Sequence, residues 1–313
     1  MYLAMTVVLL VTVPASALAQ GRYPDRPIDF ICDWGPGGGA DQMARMLGSL
    51  AEKLLNVPLP VTNVPGASGN TGLAKVVGSR ADGYTISVFT GITLATWSMG
   101  MATYKIDNFE WIVRTQSVPS YLFVKADSPL KTAKDFLDAA RSRELKIATA
   151  GYGTLDDLAV RFFASKGFKV LNVPFSKPGE RYAAPLGGHV DLMYEEAGDV
   201  RKFLDANQIR PLLVFDKKRN PAFPDVPSSF ELGYPIAFFN WRGIVAKRGT
   251  PPDRVTVLSE AFRKAMNTAQ WKEFCRQEDC QADSYLEAGD FRRWVSAEFE
   301  ELQKFGKQYG LIK

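Results

Sequence analysis

Ile28-Asp29-Phe30-Ile31-Cys32-Asp33-Trp34-Gly35-Pro36-Gly37-Gly38-Gly39-Ala40-Asp41 is the stretch that decides the fold. Its first five residues read as a short apolar strand. A glycine-rich turn follows. Beyond it Met43, Met46, Leu47, Leu50 and Leu54 recur at the spacing of one helix face. Asp41 precedes that face and is placed to be its N-cap. The pattern then repeats. A strand at 59–64 runs into Pro65-Gly66-Ala67-Ser68-Gly69-Asn70 and a helix with Leu73, Val76 and Val77 on one side. A third strand, 85–89, follows the Asp82-Gly83 turn. Strand, helix, strand, helix, strand is the opening of a parallel sheet covered by helices.

A second series starts near residue 119, with strands at 121–124, 146–149, 170–173, 191–194 and 211–215 and helices at 132–142, 155–165 and 200–205. A further strand, 243–246, ends in Gly249-Thr250-Pro251-Pro252, and amphipathic helices at 253–267 and 289–309 close the chain. At 313 residues the chain is too long for one ordinary core, and no low-complexity linker divides it. The expected class is α/β, with two interleaved lobes, each a mostly parallel sheet flanked by helices. The expected division is 20–118 plus 231–313 for the first lobe and 119–230 for the second.

Residues 3–18 carry no charge, and Ala17-Leu18-Ala19 precedes Gln20 with small residues where signal peptidase requires them. Residues 1–19 therefore read as a cleaved signal peptide and the protein as periplasmic, although no Lys or Arg precedes the apolar run. Every charged residue lies after the cut, so the mature chain keeps the net charge of +4. Lys and Arg are dispersed, which argues against nucleic acid as a partner. Of the three cysteines, Cys275 and Cys280 can pair in an oxidising compartment, though spacing alone leaves this open. Cys32 reads as a small buried hydrophobe.

Three strand-to-helix junctions carry glycine: 35–41, 65–72, and Gly151-Tyr152-Gly153-Thr154. Each reads either as a tight turn or as a place where backbone approaches a ligand. The first amides of a helix lack partners and carry partial positive charge, so such an end seats a carboxylate. Neither GxGxxG nor GxxxxGK[ST] is present, which disfavours nucleotides. A single histidine, His189, and the absence of a GxSxG elbow leave little for catalysis or for a zinc site, so no cofactor and no metal are expected. Glu195-Glu196 at a strand end are either a ligand-orienting pair or candidate acid and base. Trp34 and Trp241-Arg242 are candidates for a cleft wall, Arg242 either gripping an acid bidentately or bridging the lobes.

Tyr23-Pro24-Asp25-Arg26-Pro27-Ile28, Trp34 to Asp41, Asn63 to Asn70, Ala81-Asp82-Gly83-Tyr84-Thr85, Val173-Pro174-Phe175, Leu186 to Met193 and Phe223-Pro224-Asp225-Val226-Pro227 together resemble the tripartite tricarboxylate transporter substrate-binding proteins, the Bug or TctC-like family. The resemblance spans essentially the whole mature chain in order. It implies a type II periplasmic-binding-protein architecture with a hinge. It also implies capture of a di-, tri- or aromatic carboxylic acid and delivery to integral membrane transporter subunits by a monomer. It carries the ligand contacts onto Trp34, Gly37, Gly38, Gly39, Asp41, Gly66, Ser68 and Gly69 in one lobe and onto Gly151, Tyr152, Gly153, Thr154, Phe175 and Glu195 in the other. The sequence departs from the family at Phe175-Ser176-Lys177-Pro178-Gly179-Glu180, at Trp34 and at Arg242. An exported enzyme using Glu195 and Glu196, or a ligand-presenting sensor protein, are the alternatives.

Overall fold

The computed structural model describes residues 23–312, so the signal-peptide reading of 1–19 lies outside it. Strand β1 (Asp29–Cys32) leads into helix α1 (Gly39–Leu55), and β2 (Val61–Asn63) and β3 (Thr85–Thr90) align parallel on either side of β1, with α2 (Asn70–Gly78) between them in sequence. Helix α1 buries Met43, Ala44, Leu47, Leu50 and Ala51, while Leu54 is 48% exposed. The buried stripe thus runs through small residues that let the helix approach the sheet closely. The helix starts at Gly38 as N-cap with no side-chain cap bond, so Asp41 is not the cap; it sits within the first turn and accepts from the Gly37 amide at 3.0 Å.

After α3 (Gly91–Thr96) comes the 17-residue strand β4 (Phe109–Lys125), which no periodicity announced as one element. Helix α4 (Ala133–Ser142), β5 (Leu145–Thr149), α5 (Leu155–Ser165), β6 (Val170–Pro174), α6 (Pro178–Leu186), β7 (Leu192–Glu196), α7 (Arg201–Asp205) and β8 (Ile209–Val214) build the second half. The chain returns through β9 (Phe239–Lys247), α8 (Pro252–Met266), α9 (Ala269–Glu278), β10 (Leu286–Glu287) and α10 (Ala288–Gln308).

The strand order is β2-β1-β3-β9-β4-β7-β5-β6, with β8 and β10 also on β4. The first part of β4 pairs with β9 and the last part with β7 and β8, all antiparallel. Each half therefore keeps a parallel block of three strands, β2-β1-β3 and β7-β5-β6, and β4 carries the sheet from one half to the other. The turn lies at Pro119-Ser120, where the Ser120 amide bonds Phe238 O as the returning segment passes. This is a two-lobed fold crossed by two neighbouring segments.

Aromatic packing ties the halves together. Trp241 stacks on Phe89 (5.8 Å, 9°) and meets Phe291 edge-on, so it belongs to the core and not to a cleft wall. Phe305 of α10, and Tyr309 just beyond that helix, pack on Phe162 of α5 at 6.0 and 4.9 Å, so the C-terminal helix spans both halves. Cys275 and Cys280 form a disulfide with Cα atoms 5.1 Å apart. Cys32 is fully buried, and burial pushes its thiol up to about 12. Among the described residues no helix is long and apolar enough to cross a membrane.

Candidate functional site

Side chains alternate along a strand, so β9 turns Trp241 into the core and Asn240 and Arg242 to the opposite face. That face closes one side of a crevice between the halves. Trp34, Gly38, Gly39, Thr90 and Ile92 line it from the β1–β3 block, and Ala150, Ser176, Pro178, Arg181, Glu195 and Glu196 from the β5–β7 block. The space between the walls measures about 30 Å³, room for a single water. The walls meet directly: a Cβ on Gly35 or Gly38 would lie 3.0 Å from the Pro178 ring across the gap.

Arg242 is 1% exposed and is the hub. Its Nη2 donates to both carboxylate oxygens of Asp199 at 2.8 and 2.7 Å, and Nη1 donates to Gln116 Oε1 and Glu278 Oε2, both at 3.3 Å. The Gly39 amide, at the N-terminus of α1, donates to the same Asp199 Oδ2 at 3.2 Å. Asp199 stands in the turn after β7, so these bonds join the two halves. Alongside, Arg181 Nε donates to Glu195 Oε2 at 2.9 Å, and Glu196 accepts from Ser120 Oγ at 2.8 Å and Asn240 Nδ2 at 3.0 Å. Two atoms on these walls are buried without a partner among the described residues: Asn240 Oδ1 and Arg242 Nε.

Ligand oxygens of Glu195, Glu196 and Asp199 lie within 4.8 Å of one another. They already accept from two guanidinium groups, an amide side chain and a hydroxyl, which makes the cluster an ion-pair network. Burial raises the Glu196 carboxyl well above its ordinary range, helped by the Glu195 and Asp199 charges. Burial also raises Glu195, against the pull of Arg181. Glu278 is pushed up to about 8, first by burial and then by Asp199. Burial works against the charge on Arg181 and Arg242, but the surrounding carboxylates outweigh it and hold both above the ordinary guanidinium range. The two guanidinium groups thus sit against different carboxyls of the cluster, Arg181 against Glu195 and Arg242 against Asp199.

Of the residues expected at the site, Trp34, Gly38, Gly39, Glu195 and Arg242 come together here. Others do not. Asp41 is used by Arg45, Asn63 and the Gly37 amide. Gly37 faces an outer groove. Gly66 and Gly69 carry φ of 139° and 93°; a Cβ on Gly69 would lie 2.6 Å from Asp33 and Thr93, so that turn serves internal packing. Ser68 Oγ lies 3.5 Å from the Cβ position of Gly151, a contact at the rim between the halves. Tyr152 is 58% exposed, and Thr154 is the N-cap of α5, accepting from the Asp157 amide. The amides before α5 are taken by its own first turn, Ala150 by Asp156 and Gly153 by Asp157 at 2.8 Å, so this helix end offers no anion seat through them. Phe175 is half-buried against the hydrophobic cluster of the second half, and Ser176 and Pro178 face the crevice. Sequence reading missed Arg181, Asp199 and Asn240. Asp199 carried a usable signal, since it follows the carboxyl end of a strand, where ligands bind in open α/β sheets.

A family model described as the tripartite tricarboxylate transporter family receptor matches residues 43–311. Protein BugT of Bordetella pertussis is 29% identical over 265 residues, covering 81% of this chain and 80% of its own. Among solved structures, a TctC solute binding protein from Polaromonas with no ligand is 27% identical, covers 91% of this chain and 99% of its own, and superposes with a TM-score of 0.66. The R. palustris protein Rpa4515 with adipate is 25% identical, covers 92% and 98%, and gives a TM-score of 0.84.

Proposed function

This chain belongs to the tripartite tricarboxylate transporter family receptors, a family of solute-binding proteins and not of enzymes, and on that footing we propose that it captures a small organic carboxylate between its lobes and passes it to a membrane transporter. One observation carries the reading. A buried arginine and the first amide of a 17-residue helix converge on a single point in the crevice, and a carboxylate, that of Asp199, already satisfies both. The chemistry of that point is therefore an anion seat. The adipate in Rpa4515 is of the same class. The disulfide suits an exported protein, which supports the periplasm as its place of work.

The lobes are taken as 20–118 plus 231–313 and 119–230, hinged at the crossing near Pro119. Ligand contacts are assigned to Trp34, Gly38, Gly39, Asn240 and Arg242 on one side and Ser176, Arg181 and Glu195 on the other. An acid that touches both sides favours closure over opening by its differential affinity. Charge-assisted hydrogen bonds of roughly 1.5–3 kcal/mol each reach the ~8 kcal/mol of micromolar binding with three to five contacts. The test is a thermal-shift panel of adipate, malate, citrate and benzoate on the mature protein. A concentration-dependent rise in Tm with at least one acid is expected; no response to any of them would remove the reading.

A further inference from the structure

Asp199 separates two spaces. On its inner side is the narrow crevice, and on its outer side a groove of about 1020 Å³ lined by Gly37, Arg201, Lys202, Arg276 and Glu278. It is the one residue common to both linings. Its side chain is 4% exposed, yet it stands in a turn, which can move at lower cost than a sheet strand. Its two oxygens both accept from Arg242 Nη2, and Oδ2 also accepts from the Gly39 amide, across the gap. A Cβ placed on Gly39 would fall 1.9 Å from Asp199 Oδ1 and 2.1 Å from Arg242 Nη2, so only glycine leaves room for this contact.

We propose that Asp199 is a built-in occupant of the anion seat: it latches the lobes when no acid is present, and it must swing out toward the outer groove before an incoming carboxylate can take Arg242 and the Gly39 amide. The proposal rests on the reading of the crevice as a carboxylate site and adds its regulation. Ligand and latch compete for the same donors, so the measured affinity is the intrinsic affinity reduced by the fraction of molecules in which Asp199 has let go. The unpartnered Arg242 Nε is a further donor that a carboxylate gains and Asp199 does not use, while Asn240 Oδ1, an acceptor, suits a ligand hydroxyl. The latch sets a threshold: an anion that binds too weakly to displace Asp199 from Arg242 and the Gly39 amide does not occupy the seat.

The test compares the full mature protein with Asp199→Ala and Asp199→Asn. Small-angle scattering without ligand reads the latch alone: both variants are expected to show a larger radius of gyration than the parent, and unchanged radii would overturn the proposal. Calorimetric titration with adipate and with malate reads the competition: the variants are expected to bind at least about tenfold more tightly. Equal or weaker binding by Asp199→Ala would overturn it, because Asp199 would then be part of the seat and not its competitor. If none of the three proteins takes up either acid, the carboxylate reading falls, and the scattering comparison still decides whether the latch exists. Asp199→Asn keeps the side-chain shape and guards against a folding defect in Asp199→Ala.

Discussion

Gly39→Ala separates folding from closure. The position is the first residue of α1 and carries no positive φ, so alanine fits the helix and gains up to about 1 kcal/mol over glycine there. The added methyl nevertheless projects into the crevice, 2.1 Å from Arg242 Nη2, a distance no real carbon can keep. The lobes must stay further apart, and an acid in the seat cannot reach the arginine and the amide together. Losing one charge-assisted hydrogen bond removes roughly 1.5–3 kcal/mol, which is roughly 10- to 150-fold in Kd. The assay is calorimetric titration with the best acid of the panel, beside a thermal melt of the ligand-free protein. The expected outcome is a melt within a few degrees of the parent and, when Gly39→Ala is added to Asp199→Ala so that no latch competes in either protein, binding weaker than that of Asp199→Ala by that factor. A double variant that binds as tightly as Asp199→Ala would show that the seat does not lie beside Gly39 and Arg242.

Three further outcomes follow from the buried charges and the close packing. Glu278 has its folded-state pKa pushed up to about 8 from an ordinary 4.5, so the folded protein holds a proton that the unfolded chain releases between those values. Its contribution to stability is whole below about pH 4.5 and is lost as the pH rises through about 8; melts between pH 5 and ~9 are expected to fall with pH, and Glu278→Gln to flatten that slope. Arg181→Met leaves the Glu195 carboxylate buried without its partner and is expected to cost about 3–5 kcal/mol in urea unfolding, with partial recovery in the Arg181→Met, Glu195→Gln double variant. Gly243→Ala would put a methyl 2.3 Å from the Phe291 ring and is expected to lose roughly 1–3 kcal/mol by overpacking, with no direct contact to the crevice.

The strands and helices that repeat locally were readable. The β1, α1, β2, α2, β3 series stands where apolar periodicity put it, because each of those elements buries one face against its sequence neighbour. Strand β4 was not readable as one strand. It carries Arg114, Thr115, Gln116 and Ser117 in a buried run and Pro119 in its middle, all of which argue against a central strand. They are tolerated because the prolyl position lies at the crossing between lobes, and because Arg114 donates to Ser284 O while Thr115 donates to Arg242 O. Helix α6 was hidden for a related reason, with Pro178 at its start and Pro185 near its end. Helix α9 shows mainly Trp271 to the core, too thin an apolar stripe to be seen.

The site was legible as backbone and illegible as partners. A glycine in a turn announces that something approaches closely, but its neighbours in sequence do not say what. At Gly69 the visitor is Asp33 and Thr93, at Gly153 it is Met101, and at Gly39 it is Asp199, 160 residues away. Helix ends carry the same ambiguity. The acids in the first turns of α1 and α5, Asp41 and Asp156-Asp157, were visible as letters, and the helix dipole favours them there. Weighed first, they would have shown that part of the positive end at each junction is answered from within the helix. What remains at α1 is the Gly39 amide, and its distinction is that a lobe crossing places a buried arginine beside it. On the function proposed above, an anion seat here would be set less by the glycines than by the buried arginines that line the crevice beside them, Arg242 against the Gly39 amide and Arg181 across from it.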